Sequence, residues 1–506
     1  MSASIPYPLY RIELPEGLMA RCVEVAPRLL REAGFQVGNA RFLSRIAGKP
    51  GIRVEGGRVI FEPALVREYI ERFLERKAAE ADLDAGYRGT FLDNLMDDQA
   101  GDATARAPVA QADEWRVTTE GFSMVTLDLE TEELREATCQ DLRDYIKLAN
   151  AFGIGGSYMV MPQDLPPLMR ALACFKICFE TSESIRPYDY QQPEQLPYLY
   201  EMHQAMGQPM DICITVPTTL AVDPKDLDIV LDYYDAWKQH RDIRFRVLDY
   251  PMVGITKPVT VPGCAAMCFT ETLALHILFH LLDPEFDLAI SLEGGQPTDL
   301  RHACWAFGSP RRHLFRYLGS LILPNLLGRK PASYICPPVL LETASPAADA
   351  QAALEKMASG LLGALQGCRQ FGYAGVLCVD DVYSPAQFII DLEIVNYIRE
   401  TVDAFDPHPD IIETEGLYEE CLEVARGGET FLSHPNTARR LRNVMPSSEL
   451  LVREKLRSWM AHRRLLKDRA RDIARERITA FEPFRLPEEK QRALDGIYAR
   501  AERELR

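Results

Sequence analysis

The sequence predicts an α/β fold built on parallel strands, and three observations lead there. From about residue 138, short strand-like runs alternate with helical ones. Successive runs lie about 25–45 residues apart, which leaves room for the helical crossover that parallel strands require. No G-x-G-x-x-G follows any of them, which disfavours a dinucleotide-binding sheet. They end instead in varied polar and aromatic residues, as the strands of a (β/α)8 TIM-type barrel do where they build a site. A barrel and a doubly wound sheet both satisfy the rhythm.

The strand runs are "GGSYMVMP", "ESIRPYDY", "DICITVPTT", "RFRVLDYP", "FDLAISLEGG", "ASYICPP" and "AGVLCVDD". Apolar helical stretches such as "PPLMRALACFKICFET" and "VPGCAAMCFTETLALHILFHLLDP" separate them. An eighth strand is not obvious, and "GETFLSHP" at 428–435 is the weak candidate. Before this region, residues 16–36 carry helical spacing and stop at Gly34, a C-cap residue. A hairpin turning at "EGG" follows, then a helix starting near Pro63. Residues 80–113 are Ala/Asp/Gly-rich and read as a long connection. The expected division is therefore an N-terminal α/β extension and linker at 1–137, the barrel at 138–440 and a helical tail at 441–506. From 449 the tail reads as one long basic helix, either a solvated face or a dock for an acidic partner.

Apolar residues make up 47% of the 506, enough for a large core, and the net charge of -17 argues against nucleic acid as a partner. The 12 cysteines lie in apolar stretches, as reduced core thiols do, so a cytoplasmic location is expected. The pairs Cys174/Cys178 and Cys264/Cys268 lack zinc spacing and read as small hydrophobes, and no bound metal or flavin is implied. The N-terminus shows no signal pattern. Residues 264–282 imitate a membrane span but carry Glu271, His276 and His280, so a packed helix is expected and no membrane.

Six segments then match one family in collinear order from about 25 to 500: "LLREAGFQV", "VTLDLETEELREATCQDL", "PMVGITKPVTVPG", "DLRHACWAFGSP", "SPAQFIIDLEI" and "FLSHPNT". The chain resembles the trimethylamine methyltransferase (MttB-like) superfamily, corrinoid-dependent methyltransferases whose members include glycine betaine enzymes without pyrrolysine. The resemblance implies the (β/α)8 barrel. It also implies methyl transfer from a small quaternary ammonium or sulfonium compound to the Co(I) of cobalamin carried on a separate corrinoid protein. That partner would dock over the barrel mouth, and a homo-oligomer is compatible with the pattern. Such a transfer is an in-line displacement whose charges cancel, so a snug, dry pocket favours it. Tetrahydrofolate as acceptor, or a barrel that binds a quaternary amine without turnover, are the alternatives.

Several positions depart from the family pattern. No pyrrolysine stands near Cys336 to Val339, which disfavours dimethylamine and trimethylamine as donors. Lys257 replaces a glycine, Ala386 a glutamate and Asn436 a histidine. A lysine facing the pocket repels an onium or holds a substrate's carboxylate; otherwise it is a plain surface residue. The expected substrate-binding residues are Tyr188, Tyr250, Lys257, Glu293, Tyr334, Asp380, Asp381 and His434. The tyrosines would form an aromatic cage, and the carboxylates would pair with a cation. Each has a plainer reading: core packing for the tyrosines, capping or solvation for the acids, a satisfied loop residue for His434. Tyr190, Trp305, Phe307 and Arg186 are further candidates. No residue is assigned a catalytic proton transfer, because a quaternary donor leaves as a neutral amine.

Overall fold

The computed structural model describes residues 15–81, 115–187, 190, 192–286, 288, 295–315, 339–365, 368–403, 412–428, 430–444, 448–482 and 484–505. It is a mixed α/β protein. The N-terminal extension forms as expected. Helix Leu18–Glu32 ends where Gly34 takes φ +67, and a Cβ there would stand 2.8 Å from the Val59 carbonyl oxygen, so glycine is required. Strands Ile52–Glu55 and Arg58–Phe61 pair antiparallel around Gly56 and Gly57, and helix Pro63–Ala81 follows.

The main body holds parallel strands. Met210–Val216 pairs with Ile243–Asp249 over seven residues. Gly156–Ser157 pairs with Ile185–Arg186, and Gly156 bridges Thr119. Val339–Leu340 pairs with Gln370–Gly372, which pairs in turn with Arg116–Val117. Met252 bridges Gln296 in parallel. Among the described residues these strands form separate short pieces, not one continuous ring.

Three of the strand expectations need correction. The first parallel strand, Arg116–Val117 with a further bridge at Thr119, lies before the expected start of the array at 138, and the last is Gln370–Gly372. The run "AGVLCVDD" instead makes an antiparallel hairpin, Val376–Leu377 against Val382–Tyr383. Its apolar residues are buried at a turn where Tyr373, Cys378 and Val379 hold positive φ, so burial there reflects packing of a loop and not a strand in the array. The candidate eighth strand at 428–435 is a 3-10 turn, Phe431–Ser433. The basic tail is three helices, Leu456–His462, Leu466–Ala480 and Glu488–Glu504, because Arg463 in the left-handed region and Pro487 break the run.

Two large apolar cores result, beside a small cluster of Ala352, Leu377 and Val382. One packs the N-terminal extension against the 210–249 strands and helix Val261–Leu282; the other joins helices Cys139–Ala151 and Pro385–Asp403 to the 156–185 and 339–376 segments. Helix Val261–Leu282 is long and apolar enough to cross a membrane, but 78% of its most apolar window is buried inside the protein. Cys174, Cys178, Cys264 and Cys268 are all buried in these cores.

Candidate active site at the strand ends

The loop that follows Ile243–Asp249 is closed by its own hydrogen bonds. The Met252 carbonyl accepts from the backbone N–H of Ile255, Thr256 and Lys257. Thr256 Oγ1 donates to the Tyr250 carbonyl at 2.7 Å and accepts from the Met252 N–H at 2.9 Å. Gly254 sits at φ +85, a conformation side chains resist. The loop is therefore a rigid platform rather than a mobile lid.

Lys257 is no surface residue. Its side chain is fully buried, with Nζ 2.8 Å from Asp249 Oδ1 and 2.7 Å from Glu271 Oε2. Glu271, the acid that interrupts the apolar helix, also accepts the Leu220 N–H at 2.8 Å. Burial pushes the Glu271 carboxyl up to about 7, with Asp249 adding to the rise and Lys257 opposing it. One lysine between two buried acids ties the loop to its strand and to the helix behind. Its charge is already matched.

Tyr250 begins the loop and is partly exposed. Its ring stacks on Trp305 with centroids 6.0 Å apart at 17°, and Trp305 stacks on Phe307 at 4.8 Å and 22°. The short hairpin Thr298–Asp299 with Cys304–Trp305 presents this ribbon. The Arg312 guanidinium lies 4.5 Å from the Phe307 centroid and 2.5 Å from Glu342, a buried acid two residues beyond strand Val339–Leu340.

Glu120 ends the 116–119 strand and is also buried. Thr118 Oγ1 donates to its Oε1 at 2.9 Å, while Oε2 lacks a hydrogen-bond partner among the described residues. Gly372, on the neighbouring strand, makes room for it: a Cβ there would lie 2.6 Å from Oε2. Burial pushes the Glu120 carboxyl up to about 8; Glu342 adds to the rise and the Thr118 hydrogen bond opposes it.

Asp380 and Asp381 follow the 376–377 strand and behave differently. Asp380 is half-buried, and burial together with Asp381 lifts its carboxyl to about 6. Asp381 is exposed. Cys378 lies within electrostatic reach of Asp380, Asp381 and Cys304, so these acids neighbour the hairpin that carries Trp305. Behind them, Lys356 Nζ meets Asp391 Oδ2 at 2.6 Å with both side chains fully buried, and the Gly375 N–H donates to the same oxygen at 2.7 Å. This pair anchors the 373–383 turn.

The remaining expected residues are scattered. His434 contacts Glu420 at 3.5 Å and Glu423 at 3.7 Å in the helical region after 412, and Asn436 donates to the same Glu420. Arg186 lies 4.9 Å from the Phe179 ring, and its guanidinium donates to the Ser182 and Ile185 carbonyls. Tyr190 approaches Asp226 at 3.5 Å. Tyr188, Glu293 and Tyr334 lie outside the described residues. Glu120, Glu342 and Arg312 were not among the sequence candidates. Their signal is slight: one acid closing a β-type run, in "TTEG" and "LLET".

A family model described as trimethylamine methyltransferase (MTTB) matches residues 118–506. No curated protein matches the chain significantly.

Proposed function

The chain belongs to the trimethylamine methyltransferase family and is a methyltransferase, and from that premise we propose that its donor is a small methylated ammonium or sulfonium compound and its acceptor the Co(I) of a separate corrinoid protein. The observation that carries the reading is the stacked ribbon Tyr250–Trp305–Phe307, which Arg312 joins to the buried Glu342. Aromatic faces and a carboxylate are what bind an onium methyl group, each face contributing about 0.5–2 kcal/mol. Co(I) supplies the nucleophile. The protein's own groups hold the donor and exclude water, so charge neutralises in a site of low polarity. The rigid 250–257 loop fixes the angle of approach, and alignment of this kind is where such a displacement gains most of its rate.

We infer further that the parallel pieces are arcs of one (β/α)8 barrel, with the N-terminal extension and helical tail outside it. Neighbours in sequence are neighbours in space at 119/156, 156/185, 210/243 and 339/370, while the last strand, 370–372, pairs with the first at 116–117. Pairing of last with first is what closes a ring, and a doubly wound sheet has no such contact.

The test is anaerobic: purified protein, Co(I) cobalamin, and a panel of betaines and sulfoniums, followed by the disappearance of the Co(I) spectrum. Enzyme-dependent consumption with one onium class supports the reading; silence across the panel despite measurable binding overturns it. With the active donor, Trp305→Ala is expected to lower kcat/KM about 2–30-fold, the value of one aromatic face. An unchanged kcat/KM would remove the ribbon from the site.

A further inference from the structure

Most buried acids of this protein already have a cation. Asp249 and Glu271 share Lys257, Asp391 has Lys356, and Glu342 has Arg312. Glu120 has none among the described residues, although its side chain is buried and its Oε2 lacks a hydrogen-bond partner there. A carboxylate left in that state costs several kcal/mol. Gly372 lets the carboxyl pack directly against the neighbouring strand, since a Cβ there would lie 2.6 Å from Oε2. The charged group that acts on it is Glu342, which Arg312 neutralises, and the Tyr373 backbone N–H hydrogen-bonds to the carboxyl.

We propose that Glu120 is the anion of the binding site, taking the positive charge of a methylated onium group against Oε2 and releasing one proton to solvent as it does so. This rests on the cationic-donor reading above. The step balances: a neutral carboxyl and a bound cation replace a free cation, and the carboxyl proton leaves to water or buffer. The raised carboxyl range of Glu120 supports it, because an acid that rests protonated near neutral pH must ionise to pair with a cation. The consequence is selectivity. An acid held neutral draws inorganic cations weakly, and it charges only when an onium packs against it.

The experiment is calorimetric binding of tetramethylammonium, glycine betaine and a dimethylsulfonium compound to the full chain between pH 6 and 9, in two buffers of different ionisation enthalpy. Affinity for the onium that binds should rise about tenfold per pH unit below about 8 and level off above it, with one proton released per cation at low pH. Glu120→Gln should bind more weakly, with no pH slope and no proton release. An infrared difference spectrum of the unmodified protein should lose a protonated-carboxyl band on binding. Onium binding without a slope, or a slope that persists in Glu120→Gln, overturns the proposal and leaves the donor class standing. Failure of every onium to bind overturns both. Should Glu120→Gln not fold, Gly372→Ala serves instead. Its methyl displaces the carboxylate and should weaken the cation at least fivefold, and wild-type affinity in that variant rejects Glu120 as the partner.

Discussion

Lys356→Met should lower the free energy of unfolding by about 3–5 kcal/mol, the cost of leaving one member of a buried ion pair alone. Both Lys356 and Asp391 are fully buried, at 2.6 Å, and burial acts against each charge, lowering the lysine and raising the acid. Removing the cation leaves Asp391 with the Gly375 N–H and the Gln387 amide as donors. These do not replace a charge. The Gly375 contact matters most, since it holds the turn from which Asp380 and the 376–383 hairpin spring. The deficit should therefore appear in denaturant melts and also as faster hydrogen exchange at 373–383. The double variant Lys356→Met/Asp391→Leu should regain most of the loss, because a well-packed apolar pair avoids desolvating two ions. A single variant within about 0.5 kcal/mol of the parent, on the same scale of buried pairs, would show the pair to be dispensable.

Lys257→Met is expected to cost a similar amount, about 3–5 kcal/mol, with a dependence on pH set by Glu271. The folded Glu271 carboxyl stands at about 7 against an ordinary value of 4.5, so the folded state holds its proton more tightly than the unfolded chain does. Stability from this group is present below about 4.5 and is lost as pH rises towards 7. Lys257 opposes that rise, so removing it carries the upper edge of the window higher. The deficit of the variant should be smaller near pH 5, where Glu271 is protonated and only Asp249 has lost its cation, and grow to its full size by pH 8. Thermal melts at the two values decide it. Equal deficits at both would mean that the charge on Glu271 plays no part in what Lys257 contributes. In activity assays the variant should lose turnover together with the order of the 250–257 loop, since that loop carries Tyr250.

Parts of the fold could be read with no coordinates at all. The "EGG" turn, the Gly34 cap and the Pro63 helix start are local events, set by φ preferences and by which N–H groups lack partners, and they formed where their residues stand. The 261–282 helix was legible as a buried one because its acid and histidines interrupt an apolar surface on every side. The first parallel strand was not legible. "WRVTTEG" is short, abuts a polar connection, and is a strand because Gln370–Gly372 lies beside it. "AGVLCVDD" failed in the opposite sense, since a run of apolar residues records burial and not direction.

The site divides the same way. Sequence by itself determined the family, through motifs whose residues lie far apart yet in order, and with it the class of reaction. It singled out Tyr250, Trp305, Phe307 and Lys257 as residues gathered in matched loops. Only the tertiary structure decided what surrounds each one. Lys257 has two acids upon it, Glu342 is neutralised by an arginine thirty residues earlier in the chain, and Glu120 stands without a cation among the described residues. The physical reason is that burial and pairing belong to the space around a charge. Whether an acid is held as a neutral group, matched by a cation or left to meet a substrate depends on neighbours that the chain brings from elsewhere.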